Sequence, residues 1–474
     1  MTWIHPLDPG TGESADVIGG KGHGLVVLRR LGLPVPPGFI IGAAACRAFL
    51  RDGRFPGGLD AELAAAVHTL EDATGRRFGG DGPPLAVAVR SGAAVSMPGM
   101  MDTLLNLGLT AGATAAPAAE TVPDDAMGQL QAAVRAVFTS WHSPRATTYR
   151  ELNGIPHDLG TAVVVQAMVF GDRDEHSGSG VAFSRDPNTG ARAPFGDVLF
   201  GRQGEDVVSG RSTTRPLSDL AAREPAVWGR LAAALHRIER QYRDACHVEF
   251  TFESGVLWFL QVRPGGLTGR AAIRTAVDLA DEGLIDRRTA VRRVSLRHLH
   301  DARTPRIDTG DGTDLLTRGR GACPGVAAGR IAVTADQAAR MAVDGPVILV
   351  RPVTSPLDMH GLAAAAGVAT SRGGPTSHAA VVARAMGKPA VVDAAGLTVD
   401  TEGDHVRIGE RVVPAGTLVT IDGTGGEIAL GTPDITTGNA DAHLHRLLAW
   451  ADEVSGDRSQ RSDRERLSAA HARL

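Results

Sequence analysis

The chain has 474 residues, with 49 Lys plus Arg against 53 Asp plus Glu and a formal net charge of −4. That length holds two to four domains at roughly 100–200 residues each, and 43% apolar with 22% charged residues excludes a disordered chain. The near-neutral balance argues against a broad nucleic-acid face, and no apolar run approaches the roughly 18 residues that span a bilayer.

The opening MTWIHPLDPG has neither a basic start nor an apolar core, so no secretory leader is expected. Cys46, Cys246 and Cys323 lie far apart without a CxxC pair, which argues against a disulfide framework or a thiolate zinc site and for a reducing cytoplasm. Only two of the 49 basic residues are lysine, Lys21 and Lys388. Where a coding bias leaves arginine for every ordinary cation, a surviving lysine marks a place where a compact ammonium fits and a planar guanidinium does not.

In chain order, GGKGHGLVVLRRLGLPVPPGFII sets Lys21 among glycines ahead of residues with helical spacing and a Pro34–Gly38 turn. LAVAVR at 85–90 reads as a buried strand running into the Gly/Met/Ser loop SGAAVSMPGMMDT. Residues 110–126 read as a polar connection and 127–151 as a helix. TAVVVQAMVFG and GVAFSRDPNTG read as strands, 216–244 as helical, and HVEFTFESGVLWFLQVR as a hairpin turning at Glu253–Ser254–Gly255.

A helical stretch to about residue 300 leads into the Thr/Asp/Gly linker DARTPRIDTGDGTD, the best boundary in the chain. Residues 315–432 alternate strand and helix as a compact α/β domain. One amphipathic helix is expected at 441–454, and the charged last 20 residues are expected to fray.

The strongest local constellation is Gly373-Gly374-Pro375-Thr376-Ser377-His378, ahead of AAVVARAMGK. Thr376 or Ser377 is the expected N-cap, with His378 in the first turn. A histidine at the positive end of a helix has a lowered proton affinity, so it is a good neutral nucleophile, and free N–H groups there suit a phosphoryl group. Two preceding glycines allow close approach of a bulky nucleotide. The same string would also suit a histidine that merely opens a helix.

GGPTSHAAVVARAMGKPAVV, with VILVRPVTSPLDMHGLAAAAG ahead of it, resembles the phosphohistidine domain of the pyruvate phosphate dikinase and phosphoenolpyruvate synthase family. GGKGHGLVVLRRLGLPVPPGF, VRSGAAVSMPGMMDTLLNLGL, SWHSPRATTYRELNGIP, VVVQAMVFG, SGSGVAFSRDPNTG, GEDVVSG and VEFTFESGVLWFLQVR resemble the dikinase nucleotide domain. The resemblance runs through nearly the whole chain in family order.

It implies an α/β and α+β multidomain fold: an ATP-grasp-like nucleotide domain at 1–270, a helical segment and linker at 271–314, a swivelling phosphohistidine domain at 315–432, and a C-terminal helix and charged tail at 433–474. It also implies a nucleotide site in which Lys21 and Arg90 contact the phosphates, and Gly99 and Thr103 belong to the loop that closes on them. Gln166 is implied at the adenine hinge. Glu249 and Gln261 are implied as Mg²⁺ ligands, beside the phosphates with Arg263. These types fit the chemistry: an ammonium among glycines for a polyphosphate, oxygen ligands for a hard cation, a guanidinium to spread developing charge.

Three departures stand out. His247 occupies the position of a family acid two residues before Glu249, which removes an oxygen ligand. The stretch between Leu109 and Met127 is shorter than the family's inserted subdomain. HLHRLLAWADEVSG resembles the helix that leads into the family's C-terminal acceptor barrel, and the barrel is expected to be absent. Nor is a substrate domain inserted in the middle, unlike in rifampin phosphotransferases.

The resemblance therefore implies a barrel-less, AMP-forming phosphotransferase that phosphorylates His378 from ATP. The acceptor would be a small molecule or pyruvate on a separate acceptor-domain protein, with no nucleic-acid or membrane partner. An ATP phosphohydrolase using water, and a nucleotide-binding regulatory protein signalling through His378, stay open, as does the oligomeric state.

Overall fold

The computed structural model describes residues 2–79, 82–95, 97, 100–109, 125–204, 214–302, 305–310, 312–402, 404–437 and 442–474. Gly99, the shortened 110–124 connection and most of GEDVVSG lie outside these. The fold is mixed α/β over several sheets. It divides into two compact units, Met1–Ser177 with Glu249–Arg263, and Gly178–Val248 with Pro264–Leu474. Among the described residues, no helix is long and apolar enough to cross a membrane.

In the first unit, a five-stranded sheet runs in the order Ile4–Pro6, Gly38–Ile41, Ala162–Ala167, Val87–Gly92, Thr103–Leu107. VVVQ at its centre is fully buried, as expected of β-branched residues covered on both faces. One face packs on Leu63, Leu70, Leu130, Val134 and Phe138 from neighbouring helices. The glycine-rich helix Ala15–Arg30 is interrupted at Gly19, whose φ of 71° and ψ of 158° break the helical run.

The expected 127–151 helix is two, Ala126–Ser140 and Pro144–Asn153. Ser143 caps the second with its hydroxyl, and Pro144 opens that helix, as its missing N–H favours. The hairpin Cys246–Glu253/Val256–Pro264 turns through Ser254 and Gly255 at φ values of 50° and 76°, as a two-residue loop with two left-handed positions requires.

In the second unit, an eight-stranded sheet runs Leu315–Arg318, Glu427–Leu430, Leu418–Asp422, Val326–Ala332, Val347–Arg351, Gly367–Thr370, Ala390–Val392, Arg320–Cys323. The four strands from Val326–Ala332 to Ala390–Val392 are parallel. Ala335–Met341, Met359–Ala364 and His378–Met386 are helices in their connections. The flanking segments Pro305–Ile307 and Ile435–Thr437 pair antiparallel, so the chain enters and leaves this domain side by side.

Helices Gly269–Asp281, Arg287–Arg293, Leu296–Ala302 and Ala442–Ser455 share a separate core through Val277, Val291 and Leu447. The charged tail is not frayed. It forms Asp463–His471 behind a Ser462/Glu465 capping box, and it buries Leu467 and Ala470 in that core.

Candidate active site

Two constellations carry chemistry, one in each unit. The first gathers Lys21, Arg90, Glu249, Gln261 and Arg263. Arg90 follows the buried Val87, Ala88 and Val89 in strand Val87–Gly92, where its Nη2 donates to Glu249 Oε2 at 2.7 Å and its Nη1 to the Leu260 carbonyl at 2.8 Å. With the Gln261 amide turned so that its nitrogen donates to Glu249 Oε1 at 3.3 Å, its oxygen accepts from the Arg263 guanidinium. Alternation along Val256–Pro264 puts Gln261 and Arg263 on one face, as their spacing implied.

Burial and the nearby Arg90 hold the Lys21 ammonium well below its ordinary pKa, with the Glu249 carboxylate pulling the other way. Burial also lowers Arg263, again opposed by Glu249. Three cations around one shared carboxylate make a site that gains by taking in an anion of several charges.

Thr103 sits directly across from Arg90 in the neighbouring strand. Gln166 is buried at 2% exposure, and its amide donates to the Pro36 carbonyl at 3.0 Å, so it ties the strand to the Pro34–Gly38 turn. His247 stacks on the Phe183 ring at 4.5 Å and 22°, an aromatic contact where the family pattern has an acid.

The second constellation surrounds His378, at N1 of the helix that follows the parallel strand Gly367–Thr370. Such helix starts lie at the carboxyl edge of the sheet, where α/β folds bind ligands. The loop after the adjacent strand Val347–Arg351 brings up Thr354, whose Oγ1 lies 3.1 Å from His378 Nδ1. Two backbone bonds between these loops, Ser371 N to Arg351 O at 3.1 Å and Arg372 N to Pro352 O at 3.0 Å, fix that approach.

Among the described residues His378 Nε2 is buried without a hydrogen-bond partner. The pKa of the imidazole is lowered to about 4 by burial, against the pull of Asp358. The expected lowering is there, and removal from water accounts for it.

The two glycines do different work. Gly373 takes φ 97°, which a side chain rarely adopts. A Cβ on Gly374 would meet Asp197 Oδ2 and Thr214 Oγ1, each at 2.6 Å, so the close approach is to protein. Ser377 is the N-cap. Thr376 instead donates to the fully buried Asp197 Oδ2 at 2.7 Å, and Arg320 pairs with Asp197 Oδ1 at 3.2 Å. From the last turn of the helix, Arg384 Nη2 donates to the Pro375 carbonyl at 2.6 Å. The Lys388 ammonium donates to the carbonyls of Ala363 and Ala365 at the end of helix Met359–Ala364.

Thr354 and Asp197 went unread in the sequence. Asp197 sits in FGDVLF, a strand at Phe195–Phe200. A lone carboxylate inside a short apolar run is the signal that could have found it, because a buried charge requires partners.

Residues 51–218 match the domain described as pyruvate phosphate dikinase, AMP/ATP-binding domain. Residues 343–426 match the mobile domain of PEP-utilising enzymes. The chain is 37% identical to pyruvate, phosphate dikinase of Rhizobium meliloti (strain 1021), covering 95% of this chain and 60% of that protein. It is 36% identical to pyruvate, phosphate dikinase 2 of Oryza sativa subsp. japonica, over 93% of this chain and 58% of that one. Against the Clostridium symbiosum dikinase it is 34% identical, over 95% and 60%. The chain thus spans about three fifths of the length of these relatives. It carries the AMP/ATP-binding domain of pyruvate phosphate dikinase and the mobile domain of PEP-utilising enzymes, and it is similar to the pyruvate, phosphate dikinases along most of its own length.

Proposed function

We propose that this chain is an ATP-dependent phosphotransferase that places a phosphoryl group on His378, releases AMP, and passes the group to an acceptor bound elsewhere. The observation that carries this reading is the state of the imidazole: neutral at pH 7, with Nδ1 against the Thr354 hydroxyl and Nε2 without a partner among the described residues. A neutral ring has one lone pair to offer. If Thr354 Oγ1 accepts the Nδ1 proton, that lone pair lies on Nε2.

ATP is held through its phosphates by Lys21, Arg90 and Arg263, with Thr103 on the strand beside Arg90 and Gln166 behind the adenine. Glu249 and Gln261 would hold Mg²⁺. One carboxylate and one amide oxygen are the right donor types; they accept from Arg90, Gln261 and Arg263 here, so an ion taking them would displace those bonds and draw its remaining ligands from phosphate and water. Such an ion supplies charge neutralisation along the polyphosphate. The γ-phosphoryl is removed to phosphate or water.

In the next step the Nε2 lone pair attacks the β-phosphorus, and the bond between that phosphorus and the bridging oxygen breaks. Its electron pair stays on AMP, while Nδ1 keeps its proton. Domain 315–432 is the carrier of the labelled histidine. The relatives' name makes pyruvate, held on a separate protein, one candidate acceptor, and a free small molecule the other. The proposed location is the cytoplasm.

The test is to incubate the full chain with Mg²⁺ and ATP labelled in either the β- or the γ-position, then map the adduct by mass spectrometry and identify the nucleotide released. The expected result is β-label on His378 with AMP. Label from the γ-position alone overturns the AMP-forming scheme. Phosphate release without any adduct points to the hydrolase, and ATP binding without turnover to the regulatory protein.

A further inference from the structure

The structure assigns a phosphoryl-binding role to the Ser377 hydroxyl, and this inference rests on the phosphohistidine reading above. Thr354, Thr376 and Ser377 bring hydroxyls to the start of helix His378–Met386. Thr354 Oγ1 is engaged with His378 Nδ1, and Thr376 Oγ1 is engaged with Asp197 Oδ2. Ser377 Oγ is different. Its residue is only 4% exposed, and the oxygen is buried without a hydrogen-bond partner among the described residues.

That state is unusual for its position. Ser377 is the N-cap, with φ −63° and ψ 164°, and a serine there ordinarily accepts from the amide two or three residues on. Here the side chain makes no cap bond, although its backbone is fully committed: Ser377 N donates to Gly374 O at 2.9 Å and Ser377 O accepts from Val381 N at 2.9 Å. The adjacent residue also carries a buried atom without a hydrogen-bond partner among the described residues, His378 Nε2. The first-turn amides of His378, Ala379 and Ala380 have no acceptor inside the helix.

One tetrahedral phosphoryl group on Nε2 would satisfy this set. Its oxygens accept from the helix-start amides and from the Ser377 O–H, while phosphorus bonds to Nε2. Neutral donors of this kind stabilise the charge that develops in transfer. Ser377 acts on the transferred group, and it neither takes nor gives up a proton.

The experiment compares Ser377→Ala and Ser377→Thr with the unaltered full chain in single-turnover labelling from ATP and Mg²⁺, with the half-life of the labelled protein and its thermal midpoint. Ser377→Ala is expected to slow labelling about 10- to 100-fold and to shorten the adduct's half-life. The half-saturating ATP concentration and the thermal midpoint should be unchanged, and Ser377→Thr should recover most of the rate. Labelling and half-life as in the unaltered chain would overturn the assignment. So would a rate loss matched by a fall in thermal midpoint, because that marks a structural serine. Failure of the unaltered chain to label on His378 sinks the phosphotransferase reading itself, a separate outcome.

Discussion

The hydroxyl of Thr376 donates to the carboxylate of Asp197 at 2.7 Å, and both residues are buried, at 1% and 0% exposure. This bond, with Arg320 on the other carboxylate oxygen, docks the histidine loop on strand Phe195–Phe200. Asp197→Ala leaves the Thr376 hydroxyl unpaired and strips Arg320 of its partner. The expected cost is about 1–3 kcal/mol, read as a lowered thermal midpoint with faster amide exchange at 373–378. Asp197→Asn keeps an acceptor for Thr376 and should fall between. An Ala variant as stable and as protected as the unaltered chain would contradict the docking role.

His378 should titrate far from an ordinary histidine. The folded imidazole takes its proton near pH 4, and a free one near 6.5. Between those values the unfolded chain binds the extra proton, so this group's contribution to stability is complete above about pH 6.5. It falls as pH drops towards 4 and is flat below. An NMR titration of the histidine side-chain nitrogens checks the midpoint, and a value near 6.5 would show that the ring is not shielded as described.

Glu249→Gln tests the charge balance of the nucleotide site. It removes the carboxylate that Arg90 bonds and that opposes the lowered proton affinities of Lys21 and Arg263. Without nucleotide, the variant should lose roughly 1–3 kcal/mol of stability. ATP without Mg²⁺ should then raise its thermal midpoint more than it raises that of the unaltered chain, while added Mg²⁺ should contribute less. Equal responses to ATP with and without Mg²⁺ in both proteins would remove Glu249 from the metal-binding reading.

Gly19→Ala should be among the most damaging single-methyl changes in the chain. Gly19 holds φ 71°, and a Cβ there would lie 1.6 Å from the Gly92 carbonyl oxygen, so strain and collision combine. A loss of at least about 2 kcal/mol is expected in denaturant unfolding. Gly12→Ala, with open space around it and no positive φ, is the control and should change little.

The sequence by itself determined the architecture. VVVQ and VILVR declare buried strands through their β-branched runs, VEFTFE a hairpin strand through its alternation, and GGPTSH before AAVVARAMG a helix start with a histidine in its first turn. Local patterns misled where the outcome rested on distant contacts. The tail SGDRSQRSDRERLSAAHARL is polar enough to read as frayed, and only the helices at 269–302 and 442–455 supply the apolar face that Leu467 and Ala470 enter.

What tertiary structure alone decided is the chemical state of the site. Thr354 precedes His378 by 24 residues, yet adjacent parallel strands put its hydroxyl on Nδ1. Arg90 and Glu249 are separated by 159 positions, and they meet as a hydrogen-bonded ion pair. Proton affinity and hydrogen-bond partnership depend on burial and on distances of a few ångströms between groups remote in the chain, and no local spacing encodes either.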